Sequence, residues 1–223
     1  MAKIFALLLA IVIFHTSVDA ADKIRVAMPA DAGHFTLPLA QKRGFLNEEG
    51  IEAEIVTMTG PLANIALATG EIDYFTGFGS AMRAVIQGQL PARIVVLARA
   101  EDLFAYPISG LVAHTNKIKD KPDEIKRLIR AGIKANRYMR QNRDGTIPVL
   151  MSTYKLDKEV AISLYDSFVK GFSDDGNPPE DGFRQLIEDT KSVTQIRREV
   201  AFNEVSDLSI LKEAQRELGI TVK

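Results

Sequence analysis

The feature that most constrains the fold is a loop of small residues that joins a short apolar segment to a helix-like segment. Residues 30–40 read Ala-Asp-Ala-Gly-His-Phe-Thr-Leu-Pro-Leu-Ala, between the apolar segments 23–28 and 51–56. Each apolar segment has the length and composition of a β-strand. A strand that passes through such a loop into a helix presents backbone N–H groups at the helix start, where an anion or a polar ligand can bind. The unit therefore predicts a small-molecule site.

Strand-like and helix-like segments alternate through the first hundred residues. Strands are predicted at 23–28, 51–58, 72–76, 94–98 and 107–114, and helices at 35–49, 62–69 and 81–89. Leu62, Ile65 and Ala66 have helical spacing, and the glycine-rich segment 77–80 predicts a turn. This alternation predicts an α/β fold, with a mostly parallel sheet flanked by helices.

The second half of the chain changes to an almost entirely helical pattern. Helices are predicted from 120–124 up to Gly145, and at 146–154, 157–170, 179–191 and 209–218. Prolines and acidic residues in the first turns set the starts of these helices, and glycines set several of their ends. We therefore expect a helical carboxyl-terminal half.

Residues 1–20 have the pattern of a secretory signal peptide. Lys3 precedes an uncharged apolar run at 4–14, and small residues predict cleavage after Ala20. The apolar run is shorter than the roughly 20 residues that a membrane span needs. We therefore expect a cleavable signal, export and a mature protein of residues 21–223.

Composition excludes several classes of protein. The chain has no Cys, which excludes disulfides, a Cys nucleophile and a lipid-anchored lipoprotein. The net charge is −1 and the charges are mixed, so no nucleic-acid partner is expected. Outside the signal, His34 and His114 are the two histidines, too few to predict a metal site, and no cofactor is expected. No Ser-His-Asp, paired-carboxylate or phosphate-loop pattern is present, which predicts a protein without enzymatic activity.

Several short segments resemble one family of binding proteins in their order and spacing. These segments are 26–29, 33–35, 40–46, 67–73, 77–80, 106–112, 122–123 with 130–131, and 214–219. Together they resemble the periplasmic substrate-binding proteins of ABC importers for sulfonates, nitrate, taurine and thiamine-pyrimidine compounds, the SsuA/THI5-like (NMT1-like) group. The resemblance implies a transport protein that binds a small-molecule solute and delivers it to an ABC permease in the membrane.

The chain departs from that family in one respect. Family members have two α/β lobes, whereas residues 21–100 and 106–223 resemble the two parts of the first lobe alone. A middle lobe, which would have on the order of 100 residues as domains go, is absent. The resemblance then implies a single type II periplasmic-binding-protein-like lobe with an open shelf in place of an enclosed cleft, and weak anion binding. A truncated, non-binding or repurposed lobe that acts through protein contacts is the alternative, and self-association through the exposed cleft face stays open.

The resemblance also implies where a solute would bind, because ligands of open α/β sheets lie at the carboxyl ends of the strands. Glycines in those loops let the backbone approach a ligand, and a serine and a histidine add hydrogen-bonding groups. The candidate ligand-binding residues are Ala32, Gly33, His34, Gly60, Pro61, Gly79, Ser80 and Ala81. Two alternatives stay open: the glycines serve only as turns, and His34 is a buried or capping histidine.

Overall fold

The strand-like segments of the sequence come together in one sheet. A computed structural model describes residues 20–101 and 106–221, so the predicted signal peptide lies outside the described residues except for Ala20. The strands are β1 (Asp22–Met28), β2 (Ile51–Thr57), β3 (Tyr74–Gly77), β4 (Ala92–Glu101) and β5 (Tyr106–His114). Their order in the sheet is β2-β1-β3-β5-β4.

Helices cover both faces of this sheet. The first half contains α1 (Thr36–Lys42), α2 (Phe45–Glu48), α3 (Gly60–Thr69) and α4 (Phe78–Ile86). The second half contains α5 (Thr115–Asp120), α6 (Pro122–Gln141), α7 (Arg143–Tyr154), α8 (Lys158–Phe168), α9 (Glu180–Thr194), α10 (Phe202–Val205) and α11 (Ser209–Glu217). Short 3₁₀ helices lie at Ala32–His34 and Val169–Gly171. The predicted α/β fold with a helical carboxyl-terminal half is confirmed.

The sheet is mixed, where the alternation of elements predicts a mostly parallel one. β1 pairs in parallel with β2 and β3, whereas β5 is antiparallel to both β3 and β4. The physical reason is the short connection between β4 and β5, since a parallel neighbour would need a crossover of a dozen or more residues. β1, β2, β3 and β4 therefore all run in one direction. Their carboxyl ends share one side of the sheet, which we call the carboxyl edge.

Two apolar cores lie on opposite faces of the sheet. Successive residues of a strand point to opposite faces, so Val26 of β1 lies in one core and its neighbour Ala27 lies in the other. The first core is filled from α1, α6, α7, α8 and α11, and the second from α3, α4 and α9. Both residues are fully buried, so β1 is an interior strand of the sheet that contributes to both cores.

Of the three residues that the sequence places at helical spacing in α3, only Ala66 is buried. Leu62 and Ile65 are 59% and 62% exposed, and the buried residues are Ala63, Ala66 and Leu67. The start of α3 lies so close to α4 that small side chains fit between the two helices better than branched ones. The spacing predicts the helix, but the small residues determine which of its faces is buried.

Local backbone geometry determines three other predicted boundaries. The sequence allows Gly44 to lie within the predicted helix 35–49 or to end it, and Gly44, with a left-handed φ of 80°, separates α1 from α2. Of the predicted turn 77–80, only Gly77 precedes α4, and the other residues form its first turn. The helix predicted to end at Gly145 ends at Gln141, because the Asn142 side chain accepts a hydrogen bond from the Gly145 N–H at 2.8 Å and starts α7.

Candidate functional site

The loop after β1 satisfies its own backbone. Asp31 caps the 3₁₀ helix Ala32–His34, and its Oδ1 accepts a hydrogen bond from the Gly33 N–H at 2.9 Å. The Ser109 hydroxyl of β5 donates to the Gly33 carbonyl at 2.7 Å. The sequence suggests free N–H groups here, but the N–H of Gly33 is already bound to a carboxylate. This loop therefore forms part of the surface of the carboxyl edge, but the Gly33 N–H is not free to bind a ligand.

His34 lies under that loop and is 5% exposed. Its Nδ1 is 2.8 Å from the Thr76 Oγ1, and its Nε2 is 3.7 Å from the Asp31 Oδ2. This position corresponds to the buried-histidine alternative. Burial lowers the pKa of His34 below its usual 6.5, and the nearby Arg99 cation lowers it further, although the Asp31 carboxylate opposes both. The imidazole is therefore uncharged at neutral pH.

Helices α3 and α4 begin side by side at the carboxyl edge. A Cβ atom on Gly60 would lie 2.5 Å from the Ser80 Oγ, so the two helix starts are in contact. Asn64 joins them, since its Nδ2 donates to the Ser80 Oγ at 2.9 Å and to the Ser80 carbonyl at 3.1 Å. The residues that precede the two helices, Thr59 and Gly77, make no side-chain capping bond. Two helix N-termini without side-chain caps therefore meet at one place.

The eight predicted site residues fall into three groups. Gly60, Pro61, Gly79 and Ser80 lie in the first turns of α3 and α4, where Pro61 is exposed and the other three are half-buried. Ala32, Gly33 and His34 form the capped 3₁₀ helix at the same edge. Ala81 is fully buried in the core. As the fourth residue of α4, Ala81 donates its N–H to a carbonyl within the helix, so of the eight residues it is the least suited to bind a ligand.

Arg99 of β4 is the residue at this edge that the sequence reasoning missed. Its Nη1 lies 3.7 Å from the position that a Cβ on Gly33 would occupy, and its guanidinium is 6.0 Å from the ring centre of Phe172. Its Nε is buried, and among the described residues the structure gives that atom no hydrogen-bond partner. The available signal was one cation at the end of the apolar run 94–98. Arg99 places a half-buried positive charge beside the first loop.

A groove of about 280 Å³ continues from the first turn of α4. Gly79 and Arg83 line one side, and Tyr106 and Asp189 line the other. Burial raises the pKa of the Tyr106 hydroxyl, and the Asp189 carboxylate raises it further, so this phenol stays protonated as a hydrogen-bond donor. The groove is close to the size of small-ligand pockets, which begin at about 300 Å³.

Two observations limit the chemistry of the described part of the chain. No cluster of three or more His, Asp or Glu side chains there has the arrangement that would hold a metal ion. Within residues 20–101 and 106–221, none of the helices combines the length and the apolar character that crossing a membrane would require.

Comparisons with known proteins place the fold. No family model matches the sequence, and no curated protein matches it either. Among solved structures, a protein from Bordetella bronchiseptica RB50 is similar with a TM-score of 0.76 at 15% identity, over 88% of this chain and 98% of that one. The periplasmic sulfonate-binding protein SsuA of a sulfonate ABC transporter from Methylobacillus flagellatus KT is similar with a TM-score of 0.67 at 12% identity. The match covers 91% of this chain and 96% of that one.

One similar structure is an enzyme. The desulfurization enzyme DSZB has a TM-score of 0.62 at 9% identity, over 88% of this chain and 99% of that one. Several other similar structures are ligand-binding proteins, one of them a component of an ABC-type import system. At these identities the likeness concerns the fold. The chain therefore has the periplasmic-binding-protein fold, and the resemblance read from its short sequence segments is confirmed at that level.

Proposed function

We propose that this protein is a non-enzymatic solute-binding lobe that takes a small anion at the carboxyl edge. The solute classes are those of the resemblance: a sulfonate-, nitrate- or taurine-like anion, or a thiamine-pyrimidine precursor. The observation that carries the proposal is the meeting of α3 and α4 at Gly60 and Ser80 without side-chain caps. Unpaired N–H groups and the positive end of the helix dipole favour an anion at such a place.

Arg99 supports the same assignment from the other side of the edge. Its half-buried guanidinium brings a full positive charge next to Gly33, and guanidinium groups match planar oxyanions well. His34 stays neutral, so it adds no second charge that would have to be balanced. Among the proposed solute classes, this arrangement favours a small anion with two or three oxygen acceptors over a thiamine-pyrimidine precursor.

The open geometry sets the expected affinity. High affinity for small solutes usually requires that 70–90% or more of the ligand surface is buried. The carboxyl edge offers one wall formed by the described residues, so part of a bound anion stays in contact with water. We therefore propose weak binding in the absence of a partner surface.

The cellular role follows from the same proposal. Residues 1–20 would direct export to the periplasm, and an ABC permease in the membrane would be the partner that receives the solute. Several of the similar structures are binding proteins, among them components of ABC-type transport systems, which supports this role and supports a function without catalysis. The fold itself also occurs in an enzyme, so the absence of catalysis is part of the proposal.

Calorimetry on the mature chain, residues 21–223, tests the proposal. Methanesulfonate, taurine and nitrate are titrated into the protein, with dimethyl sulfone as the uncharged counterpart of methanesulfonate. We expect binding in the millimolar range for at least one anion and none for dimethyl sulfone, with a matching rise in the melting midpoint. Micromolar or tighter binding by the monomer would contradict the open-shelf argument.

A cooperative melt with no response to any anion would favour the second candidate, a repurposed lobe that acts through protein contacts. The specific observation behind that candidate is the exposure of Leu62 and Ile65 on α3, beside the same edge. Large apolar side chains at 59% and 62% exposure are typical of contact surfaces when they are adjacent. Sedimentation of the mature chain would then show whether it self-associates.

A further inference from the structure

A cavity of about 50 Å³ lies in the first core, between the sheet and α6. It is separate from the helix starts of α3 and α4, whose residues do not line it. Its apolar lining comes from both sides, namely Leu37, Val96, Leu111, Leu128, Ile129 and Ile133. All of these side chains are buried, so the cavity lies among core residues, although it is not fully enclosed.

Hydroxyl and amide donors in the cavity wall are paired with protein atoms. Thr36 Oγ1 donates to Asn136 Oδ1 at 2.7 Å, and Asn136 Nδ2 donates to the Ala98 carbonyl at 3.0 Å. The Ser109 hydroxyl donates to the Gly33 carbonyl at 2.7 Å. A buried water needs about 10–15 Å³ and two to four polar partners. The space is sufficient for water, but the hydroxyl and amide donors are engaged with protein atoms and the surface that faces the cavity is almost entirely apolar, which favours an apolar occupant.

Gly132 keeps this cavity open. It lines the cavity from the interior of the 20-residue helix α6, where glycine is less favourable than alanine. A Cβ on Gly132 would meet only the Thr36 Cγ2, at an ordinary 3.6 Å, and its φ is not positive. Neither close packing nor backbone conformation therefore requires a glycine. The absence of a side chain at Gly132 leaves space in the cavity.

We propose that this cavity is a binding site for a small, uncharged, apolar molecule. Apolar cavities of about 150 Å³ in other proteins stay dry and bind benzene or xenon. A cavity of one third of that volume fits an occupant of the size of xenon or of one or two saturated carbon atoms. The neutral state of His34 and the paired hydroxyls leave no charge in the wall that would oppose it. The site does not depend on anion binding at the carboxyl edge.

Xenon binding to the mature chain tests the proposal, read from the methyl resonances of Leu111, Leu128 and Ile133 under xenon pressure. We expect saturable shifts of these methyl groups in the unaltered chain. Gly132→Ala places a methyl group in the cavity and should weaken xenon binding at least tenfold, while its melting midpoint stays equal or rises. Ser163→Thr adds one methyl group on the exposed side of α8 and should leave xenon binding unchanged.

A second variant tests the proposal independently, in case Gly132→Ala alters the fold. Val96→Ile fills the cavity from the opposite wall and should weaken xenon binding in the same way. The proposal is overturned if the methyl groups do not respond to xenon, if folded Gly132→Ala or Val96→Ile binds xenon as well as the unaltered chain, or if a crystal structure shows ordered water filling the cavity.

Discussion

Gly60 and Ser80 touch across the starts of two helices. A Cβ on Gly60 would lie 2.5 Å from both the Cβ and the Oγ of Ser80, a distance that real side chains do not adopt. The two residues are far apart in sequence, and each follows a different strand of the sheet. Their contact brings the loops after β2 and β3 together. It places the starts of α3 and α4 side by side, and the proposed anion site depends on this arrangement.

Gly60→Ala should therefore separate the two helix starts. Overpacking of this kind costs about 1–3 kcal/mol of unfolding free energy, and we expect weaker anion binding as the helix starts move apart. Urea unfolding and calorimetry measure the two effects. Gly79→Ala is the matched control for stability, since nothing lies within 4 Å of a Cβ at Gly79. Equal stability of the two variants would contradict the close contact of Gly60 with Ser80.

Arg99→Met should have two linked effects. It removes the guanidinium that the proposed site uses, so anion affinity should fall to the detection limit. It also removes a positive charge that lowers the pKa of His34, so the pKa of His34 should rise. An NMR titration of the histidine ring protons measures the second effect without any ligand.

The control for Arg99→Met is Arg197→Met, which removes an exposed arginine elsewhere on the chain. It should change neither the anion affinity nor the titration of His34. If Arg99→Met shifts the pKa of His34 upward but leaves anion binding intact, Arg99 neighbours the first loop and does not serve the ligand.

A buried ionic cluster joins β3, α5 and α6 on the side of the sheet away from the carboxyl edge. The Tyr74 hydroxyl donates to Glu124 Oε1 at 2.6 Å, and Lys117 Nζ lies 2.9 Å from the same oxygen and 2.9 Å from Asp73 Oδ1. Burial raises the pKa of Tyr74 strongly, and Glu124 raises it further, so the phenol keeps its proton at any ordinary pH and donates a hydrogen bond to Glu124.

Tyr74→Phe should destabilise the fold because a buried carboxylate loses a hydrogen bond. Hydrogen bonds to charged groups are worth about 1.5–3 kcal/mol, and we expect a loss of unfolding free energy in that range. Chemical denaturation measures it. Tyr138→Phe, at a half-buried tyrosine outside this cluster, should cost less. A loss below 0.5 kcal/mol for Tyr74→Phe, on the order of a surface substitution, would show that Glu124 does not depend on this bond.

Glu49 makes the stability of the first core depend on pH. Burial opposes its ionisation, but Arg130 and Lys134 bind the carboxylate and outweigh that effect, so the pKa of Glu49 lies below its usual 4.5. A carboxyl group with a lowered pKa in the folded state stabilises the fold above about pH 4.5, and this contribution is lost as the pH falls through the folded-state pKa.

Glu49→Gln should therefore destabilise the protein at pH 7 by about 2 kcal/mol, since charged hydrogen bonds are lost. The difference from the unaltered chain should shrink as the pH falls below 4.5, the usual pKa of this group. Urea unfolding of both proteins across that range measures the difference. Glu213→Gln, on the exposed side of α11, is the control and should show little difference at any pH. A difference that stays constant with pH would contradict the assignment.

Local patterns predict the first strands well. The predicted strands 23–28 and 51–58 differ from β1 and β2 by one residue each, because apolar runs bounded by turn residues are strong local signals. The position of β5 between β3 and β4 is not a local property. It follows from pairing across the sheet, which the alternation of elements does not determine.

The candidate site shows the same division between local and long-range information. The glycine and serine residues in the sequence indicate the loops that contain Gly60 and Ser80. The contact between these two residues depends on where α3 and α4 lie in the fold. The sequence around Arg99 indicates only that this residue belongs to a strand. The pairing of β4 with β5 is what brings it beside Gly33. Asp31 reads as a loop residue, and its hydrogen bond to the Gly33 N–H depends on backbone angles that the sequence pattern does not give.

The single sheet also has a kinetic consequence. In the described residues, one sheet and its two helical layers form the whole structure, so no hinge between lobes lies among them. A protein that must close around its ligand shows a relaxation rate that levels off at high ligand concentration, where closure becomes limiting. Exchange at the carboxyl edge has no such step. In a temperature-jump experiment, which resolves the fast exchange expected of millimolar binding, the relaxation rate should rise linearly with the anion concentration over the whole accessible range.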